Sequence, residues 1–186
     1  MNDRTWRREQ DGRCYIICTR PDLLDYGFIN TAFASDEMDW ATPLPADQMA
    51  TMLSQSITLG LYEVLPSAPS ASSVSEPSSP RTPSPTLDDS LQEQLKQIGM
   101  ARLITDRITT AFLTDVYVLP DFRKGGLAKW LIACCKDLMA AYPAMRRILL
   151  FATGDAGKAF YARELGMWDV RDEEGSKVVM TRKMYK

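Results

Sequence analysis

A short basic turn that carries two glycines is the part of this sequence best suited to chemistry. The strand-favouring residues from Leu113 to Leu119 come first, and Pro120 ends the predicted strand because it fixes its own φ and has no backbone N–H. Arg123-Lys124-Gly125-Gly126 follows and leads into an amphipathic pattern. A strand, a glycine turn and a helix N-terminus in this order gather backbone N–H groups around an anion. The sequence therefore predicts a phosphate-binding turn, with an ordinary tight connection as the alternative.

The chain contains no histidine, and this limits the proton-transfer chemistry that it can perform. Proton transfer is left to Asp, Glu, Tyr, Lys, Cys or water, and hydrolases built on Ser–His or Cys–His pairs are excluded. The cysteines are Cys14, Cys18, Cys134 and Cys135, and no C-x-x-C pair occurs among them. We therefore expect no metal site and interpret the cysteines as buried free thiols of a protein from a reducing compartment.

Length, charge and hydropathy define the class of protein. A chain of 186 residues indicates one domain over residues 1–186. The net charge of −2 and the pI near 5.3 argue against a nucleic-acid partner. No run approaches the roughly 18 apolar residues of a membrane span, and the N-terminus lacks the apolar core of a secretory signal. We predict a cytoplasmic protein, or one that is cytoplasmic and nuclear, with no membrane partner, as a monomer or homodimer.

One segment differs from the rest in composition. Residues 66–90 are rich in serine and proline and nearly free of apolar side chains, so they predict a disordered insertion within the domain. Ser79, Thr82 and Ser84 each precede a proline and are candidate kinase targets. A tolerated surface insertion is the alternative interpretation.

Outside this insertion, strand and helix patterns follow one another along the chain. We predict strands over residues 14–19, 57–65, 99–105, 109–119 and 147–152, the last of them buried, and helices over 21–34, 47–56, from 127 to a point before Pro143, and 156–165. A helical turn over 91–97 and a final hairpin over 169–183 complete the pattern. Since most strands follow one another as hairpins, the class is α/β (α+β), with a mixed, mainly antiparallel sheet.

Two motifs on these elements resemble the GNAT superfamily of N-acetyltransferases. Arg123-x-x-Gly126-x-Ala128 fits the (Arg/Gln)-x-x-Gly-x-(Gly/Ala) signature of that superfamily. Downstream, the run over residues 155–167, which contains Tyr161, resembles its final motif. The resemblance covers nearly the whole chain apart from the insertion. It implies a GNAT fold with about six to seven strands and about four helices, whose central strands splay apart to admit acetyl-CoA.

The function that the resemblance implies is that of an acyltransferase, which transfers acetyl from acetyl-CoA to a primary amine, and we expect the acceptor of this chain to be a small molecule. Gly126 would let the backbone approach the CoA pyrophosphate, and the splayed strand would pair with pantetheine. Lys158 and Asp155 sit where the family's fourth helix approaches CoA, although a solvated lysine is the alternative. The expected CoA-binding residues are Val116, Tyr117, Val118, Arg123, Lys124, Gly125, Gly126, Leu127, Ala128, Lys129, Asp155 and Lys158.

The resemblance also implies catalytic roles. Tyr161 matches the family tyrosine that lies beside the thioester sulfur and acts as general acid, and a core aromatic is the alternative. Members of the family that use a strand glutamate or histidine as base place it at positions that correspond to Phe112 or Thr114, and neither residue can act as a base. The sequence therefore predicts an acid and leaves the base unassigned.

Two residues remain candidates for the acceptor site. Asp115 is the carboxylate nearest to the missing base, and it either binds a substrate ammonium or orders a water, or else bonds to Arg102 or Thr109 across the sheet. Trp40 either lines the acceptor pocket or packs its own loop. The acidic residues beside Trp40 hint at a cationic acceptor: Asp36, Glu37 and Asp39.

Two functions of different class follow from these observations. The first is an N-acetyltransferase with acetyl-CoA as co-substrate and no metal, and Tyr161 favours it. The second is a non-catalytic CoA-binding sensor or interaction module of the same fold, and the missing base favours it.

Overall fold

The computed structural model describes residues 3–65 and 95–172. The predicted insertion over 66–90 lies outside the described residues, and so does most of the hairpin predicted over 169–183. Of that hairpin, the described part is a 3-10 turn at Val170–Asp172.

Six strands form one sheet in the order of the chain. They are β1 (Thr5–Gln10), β2 (Arg13–Cys18), β3 (Ile57–Val64), β4 (Leu95–Thr105), β5 (Thr110–Val118) and β6 (Arg147–Leu149). Neighbouring strands from β1 to β5 are antiparallel, whereas β5 and β6 are parallel. The described helices are α1 (Tyr26–Phe33), α2 (Ala46–Ser54), α3 (Leu127–Ala140) and α4 (Gly154–Leu165). The predicted class, a mixed and mainly antiparallel sheet with about four helices, is confirmed.

The first strand, β1, was not predicted from the sequence. Its side chains alternate between exposed and half-buried, so it has no continuous apolar run. The Asp11-Gly12 turn, with φ of 52° and 73°, joins it to β2, and an Asp-Gly pair between strands is a recognised hairpin signal. That dipeptide is the signal from which β1 could have been found.

Two other predictions were wrong. Residues 95–97 were expected in a helical turn, but they begin β4 because they pair with Tyr62–Val64 of β3. A buried strand was expected over 147–152, but β6 ends at Leu149 and is largely exposed; Phe151 is 70% exposed. Leucine and glutamine favour helices locally, which explains the helical turn expected at residues 95–97. Apolar runs suggest burial, which explains the strand expected over 147–152. In both segments the strand partners lie elsewhere in the chain.

A helix layer covers each face of the sheet. The first face carries α3, whose buried side chains (Leu127, Leu131, Ile132, Cys134, Cys135, Leu138 and Met139) pack on β3, β4 and β5. On the second face, α1 and α2 pack around Met100 of β4 and Tyr117 of β5. We call these the α3 face and the α1–α2 face.

A bulge in β5 changes which residues face each layer. Thr114 pairs with Arg102 and Tyr117 with Met100, so Asp115 and Val116 together lie opposite a single residue of β4. Asp115 adopts a φ of 51°, which is uncommon for a residue other than glycine. As a result, Thr114 and Asp115 are consecutive residues on the α1–α2 face, and Val116 returns to the α3 face.

The cysteines are free thiols, as predicted. Burial raises the pKa of the Cys18 thiol, and it raises that of Cys134 to about 12 and that of Cys135 further. Because the thiolate is the reactive form, these three side chains are packing residues. In residues 3–65 and 95–172, no group of three or more metal-binding side chains occurs, and no helix is long and apolar enough to cross a membrane.

Candidate functional site

The basic glycine turn forms an open cradle between β5 and α3. Lys124 and Gly126 both lie in the left-handed region, with φ of 72° and 76°. Trp130 N–H donates the first helical bond to the Gly126 carbonyl at 3.0 Å. No side chain of the described residues caps the N-terminus of α3, and a Cβ placed on Gly126 would meet nothing within 4 Å. The first backbone N–H groups of the helix therefore face open space, which suits an anion.

Strand β1 supports this turn from behind. Gln10 Nε2 donates to the Gly125 carbonyl at 2.9 Å and approaches Asp11 Oδ2 at 3.2 Å. The last residue of β1 thus holds the turn in place while its open side stays free. Sequence reasoning missed Gln10, because 115 residues separate it from its partner.

The Arg123 side chain turns away from the cradle. Its Nε donates to the Val118 carbonyl at 2.8 Å, and its Nη1 donates to Glu37 Oε1 at 2.8 Å, with a second contact from Nη2 to Glu37 Oε2. The hydrogen bonds from Arg123 lower the pKa of Glu37. The guanidinium therefore ties the end of β5 to the segment after α1, and its role as a phosphate ligand stays a prediction. Glu37 is one of the acidic residues that suggest a cationic acceptor, but its charge is paired with Arg123 and no longer supports that prediction.

The outer edge of β5 is open over most of its length. Pairing with β6 covers only Thr110–Phe112, opposite Arg147–Leu149. Leu119 N–H donates to the Ile98 carbonyl of β4 at 2.8 Å, so by alternation the peptide groups of Val118 point to the other edge. β5 and β6 are thus splayed beyond Phe112, as predicted, and the splay leaves backbone groups of β5 without strand partners among the described residues.

Tyr161 lies on α4 and packs against the α3 face, half-buried. Its ring contacts that of Phe160 in an edge-to-face arrangement at 5.2 Å. Within the described part of the chain its hydroxyl has no hydrogen-bond partner. Burial, and to a smaller extent Cys135, raises the pKa of this hydroxyl above its usual value of about 10, so the group is protonated at neutral pH.

Two lysines predicted near CoA, Lys129 and Lys158, already have partners. Lys129 Nζ lies 3.5 Å from Glu164 Oε2, and Lys158 Nζ lies 3.3 Å from Asp169 Oδ2. Asp155 is an exposed residue in the first turn of α4. Phosphate contacts from any of them stay predictions.

A cavity of about 270 Å³ opens on the α1–α2 face. Trp40, Phe112, Thr114 and Asp115 line it, together with Arg102 of β4. The cavity thus brings together the loop tryptophan, the carboxylate and both positions where a base was sought. Trp40 is 55% exposed and reaches Asp115 through its indole N–H.

Asp115 is buried and fully engaged. Its carboxylate accepts from Arg102 Nε at 2.6 Å, from Thr114 Oγ at 3.0 Å and from Trp40 Nε1 at 3.3 Å. Of the alternatives left open for this residue, the pairing with Arg102 is the one observed. A carboxylate can accept about four hydrogen bonds, and three are already present here. Little capacity therefore remains for Asp115 to take a proton from the amine substrate.

We expect Asp115→Asn to lower the free energy of unfolding by about 3 kcal/mol, because it leaves the buried Arg102 guanidinium without a counter-charge. Asparagine keeps the tolerance for positive φ, so the change isolates the charge. Urea denaturation measures the effect. The matched control is Glu9→Gln, which breaks the exposed Arg7–Glu9 pair and should cost at most about 1 kcal/mol. Equal losses in the two variants would contradict the assignment.

The structure does not bring Tyr161 and Asp115 into contact. Tyr161 packs on the α3 face and Asp115 lies on the α1–α2 face, and the open edge of β5 lies between the two layers. The two candidate catalytic residues therefore lie on opposite faces of the sheet.

Comparisons with known proteins agree with this architecture. Residues 79–167 match the model of the Acetyltransferase (GNAT) family. A relative from Gibberella zeae, named "Putative acetyltransferase FG08082", is 34% identical over 165 residues, which cover 89% of this chain and 85% of the relative.

Solved structures share the fold. A GNAT-family protein of Xanthomonas campestris is 26% identical with a TM-score of 0.55, over 89% of this chain and 93% of that one. The GNAT-family acetyltransferase SP0256 of Streptococcus pneumoniae is 11% identical with a TM-score of 0.53, over 98% and 99% of the two chains, and shows the fold alone. With its splayed strands, its glycine cradle and a curated relative similar over most of both lengths, this chain belongs to the acetyltransferase (GNAT) family.

Proposed function

We propose that this acetyltransferase transfers an acetyl group from acetyl-CoA to the primary amine of a small molecule, with Tyr161 as the general acid. The observation that carries the proposal is the open edge of β5. It begins at the cavity, passes between the two helix layers and ends at the glycine cradle. A donor bound along this edge would have its phosphates at one end and its acyl group near the other.

The residues of the cradle and of β5 fit acetyl-CoA. The open space above Gly126 leaves room for a pyrophosphate against the first N–H groups of α3. The peptide groups of β5 that have no strand partner beyond Phe112, the Val118 N–H among them, can pair with the amides of pantetheine as an added strand would. When bound, acetyl-CoA supplies a thioester, whose carbonyl carbon accepts the amine and whose sulfur leaves as a thiolate.

Tyr161 supplies the proton that the leaving thiolate needs. Its phenol is protonated at neutral pH because burial raises its pKa, and no other described group competes for its hydroxyl. A phenol of raised pKa is a weak acid, which suits a donor that must not lose its proton before the C–S bond breaks. The C–N bond forms, the C–S bond breaks, and the proton moves from the Tyr161 oxygen to sulfur.

The acceptor must lose a proton as well. A lysine-like amine with a pKa near 10.4 is neutral in only about one molecule in 2,500 at pH 7, which costs about 4.6 kcal/mol. Among the side chains that line the cavity, Asp115 is the carboxylate, and its ion pair with Arg102 leaves it little capacity to take the proton of the amine. We assign the deprotonation to water.

A thiol-release assay with acetyl-CoA and a panel of small primary amines tests the proposal. We expect release above the rate of hydrolysis for at least one amine. If acetyl-CoA binds and no amine is acetylated, the proposal fails and the CoA-binding module is the better description.

A further inference from the structure

The cavity on the α1–α2 face contains an arginine whose hydrogen-bonding capacity is only partly used. Arg102 lies on β4 opposite Thr114, and its side chain is 12% exposed. Its Nε donates to Asp115 Oδ2 at 2.6 Å. In residues 3–65 and 95–172 its two terminal nitrogens have no acceptor, although the side chain borders the cavity. Each of these nitrogens carries N–H donors in a fixed planar fork.

The carboxylate in this cavity is already engaged. Asp115 accepts hydrogen bonds from Arg102, Thr114 and Trp40, so most of its acceptor positions are occupied. Within the Arg102–Asp115 pair, the unused hydrogen-bonding capacity is therefore on the donor side. A ligand that completes this site brings oxygen acceptors to the terminal nitrogens of Arg102, because a charged donor that borders the cavity forms its strongest hydrogen bonds with an anionic oxygen group.

Charge and size select the kind of oxygen group. Arg102 and Asp115 together carry no net charge, so a doubly charged phosphate would bring two uncompensated charges into a half-buried site. A carboxylate brings a single charge and matches the guanidinium fork in two parallel hydrogen bonds. The volume of about 270 Å³ lies at the lower end of small-molecule sites.

The remaining walls are mostly apolar, with Thr42 as a polar exception. Phe33, Leu44 and Met52 from the α1–α2 layer and Phe112 from β5 surround the Arg102–Asp115 pair, and the Trp40 ring borders the opening. These walls suit an aliphatic or aromatic stem.

We propose that the acceptor is a small amino acid with an apolar or aromatic side chain, whose carboxylate is held by Arg102. This inference rests on the proposed function and specifies its acceptor. A zwitterion has no net charge, as the Arg102–Asp115 pair has none, so its binding leaves no charge uncompensated. With the carboxylate on β4, the amine lies toward Thr114 and the open edge of β5. Arg102 acts here as a specificity residue and takes no part in the bond changes.

Matched acceptors test the inference by turnover on the full-length chain. Phenylalanine is compared with phenylalaninamide and 2-phenylethylamine, and leucine with isopentylamine, by thiol release. We expect the compounds with a carboxylate to have kcat/KM values about 10- to 100-fold higher, with most of the difference in KM. Equal values, or a preference for the amines without a carboxylate, would overturn the inference even though they would support the proposed function.

A binding measurement separates the two proposals. Calorimetry with 3-phenylpropanoate and 3-phenylpropanamide needs no turnover, and we expect only the carboxylate to bind. The double variant Arg102→Gln/Asp115→Asn removes both charges together, so it avoids a lone buried charge, and it should lose this binding by about 10-fold or more. Carboxylate binding without turnover of any amine would uphold the inference and overturn the proposed function. If neither compound binds to the unmodified protein, the inference fails.

Discussion

Replacing Tyr161 with phenylalanine is expected to lower kcat by about 10²- to 10⁴-fold and to leave the affinity for acetyl-CoA unchanged. The ring stays in its place against the α3 face and keeps its contact with Phe160, so the core loses only one hydroxyl. That hydroxyl has no hydrogen-bond partner within the described residues, and its removal therefore leaves no other group unsatisfied. The loss in rate then reports the proton donated to the leaving thiolate.

The matched control for this variant is Tyr15→Phe, which removes a hydroxyl from a buried tyrosine of β2. Single-turnover kinetics and equilibrium binding of acetyl-CoA measure both variants. We expect the Tyr15 variant to keep the original kcat. An unchanged kcat in the Tyr161 variant would remove this residue from the mechanism.

The second large effect is expected at the glycine cradle, where Gly126→Ala should weaken acetyl-CoA binding by about 10- to 100-fold. The new Cβ would project into the open space that the cradle leaves for a phosphate. It would also force alanine into the left-handed region, where φ is 76°, at a cost of about 1 kcal/mol in stability.

The control variant Gly166→Ala separates the effect of backbone strain from the loss of space for a phosphate. Gly166 ends α4 with a φ of 68°, and its Cβ would likewise meet nothing within 4 Å, so the backbone strain is similar. We expect both variants to lose comparable unfolding free energy, and only the Gly126 variant to lose acetyl-CoA affinity. Similar affinities for acetyl-CoA in the two variants would show that the cradle does not hold the phosphates.

Local signals were sufficient for much of this fold. The glycine turn, the start of α3 and the end of α4 at Gly166 depend on residues close in sequence, and the structure agrees with each prediction. β1 was missed because its half-buried alternation is weak. The length of β6 was overestimated because the apolar residues after Leu149 resemble a buried strand, although Leu150 is only half-buried and Phe151 is exposed.

Contacts between distant segments were harder to predict. Arg123 was expected to add charge at the phosphate turn, but it pairs with Glu37, a residue 86 positions away. For Asp115 the sequence left a role at the acceptor and a bond to Arg102 or Thr109 as alternatives, and the hydrogen bonds to Arg102 and Trp40 are seen only in the folded chain. The glycine turn depends on residues close in sequence, whereas the cavity is lined by residues from separate segments of the chain, so its contacts were harder to predict.

We propose that acetyl-CoA lies along the open edge of β5 with its sulfur beside Tyr161. A crystal structure of the complex with CoA tests this binding mode most directly. We predict that the pyrophosphate contacts the backbone from Lys124 to Ala128, that pantetheine pairs with β5 beyond Phe112, and that the sulfur lies within hydrogen-bond distance of the Tyr161 hydroxyl. CoA bound away from this edge, or a sulfur remote from Tyr161, would contradict the account.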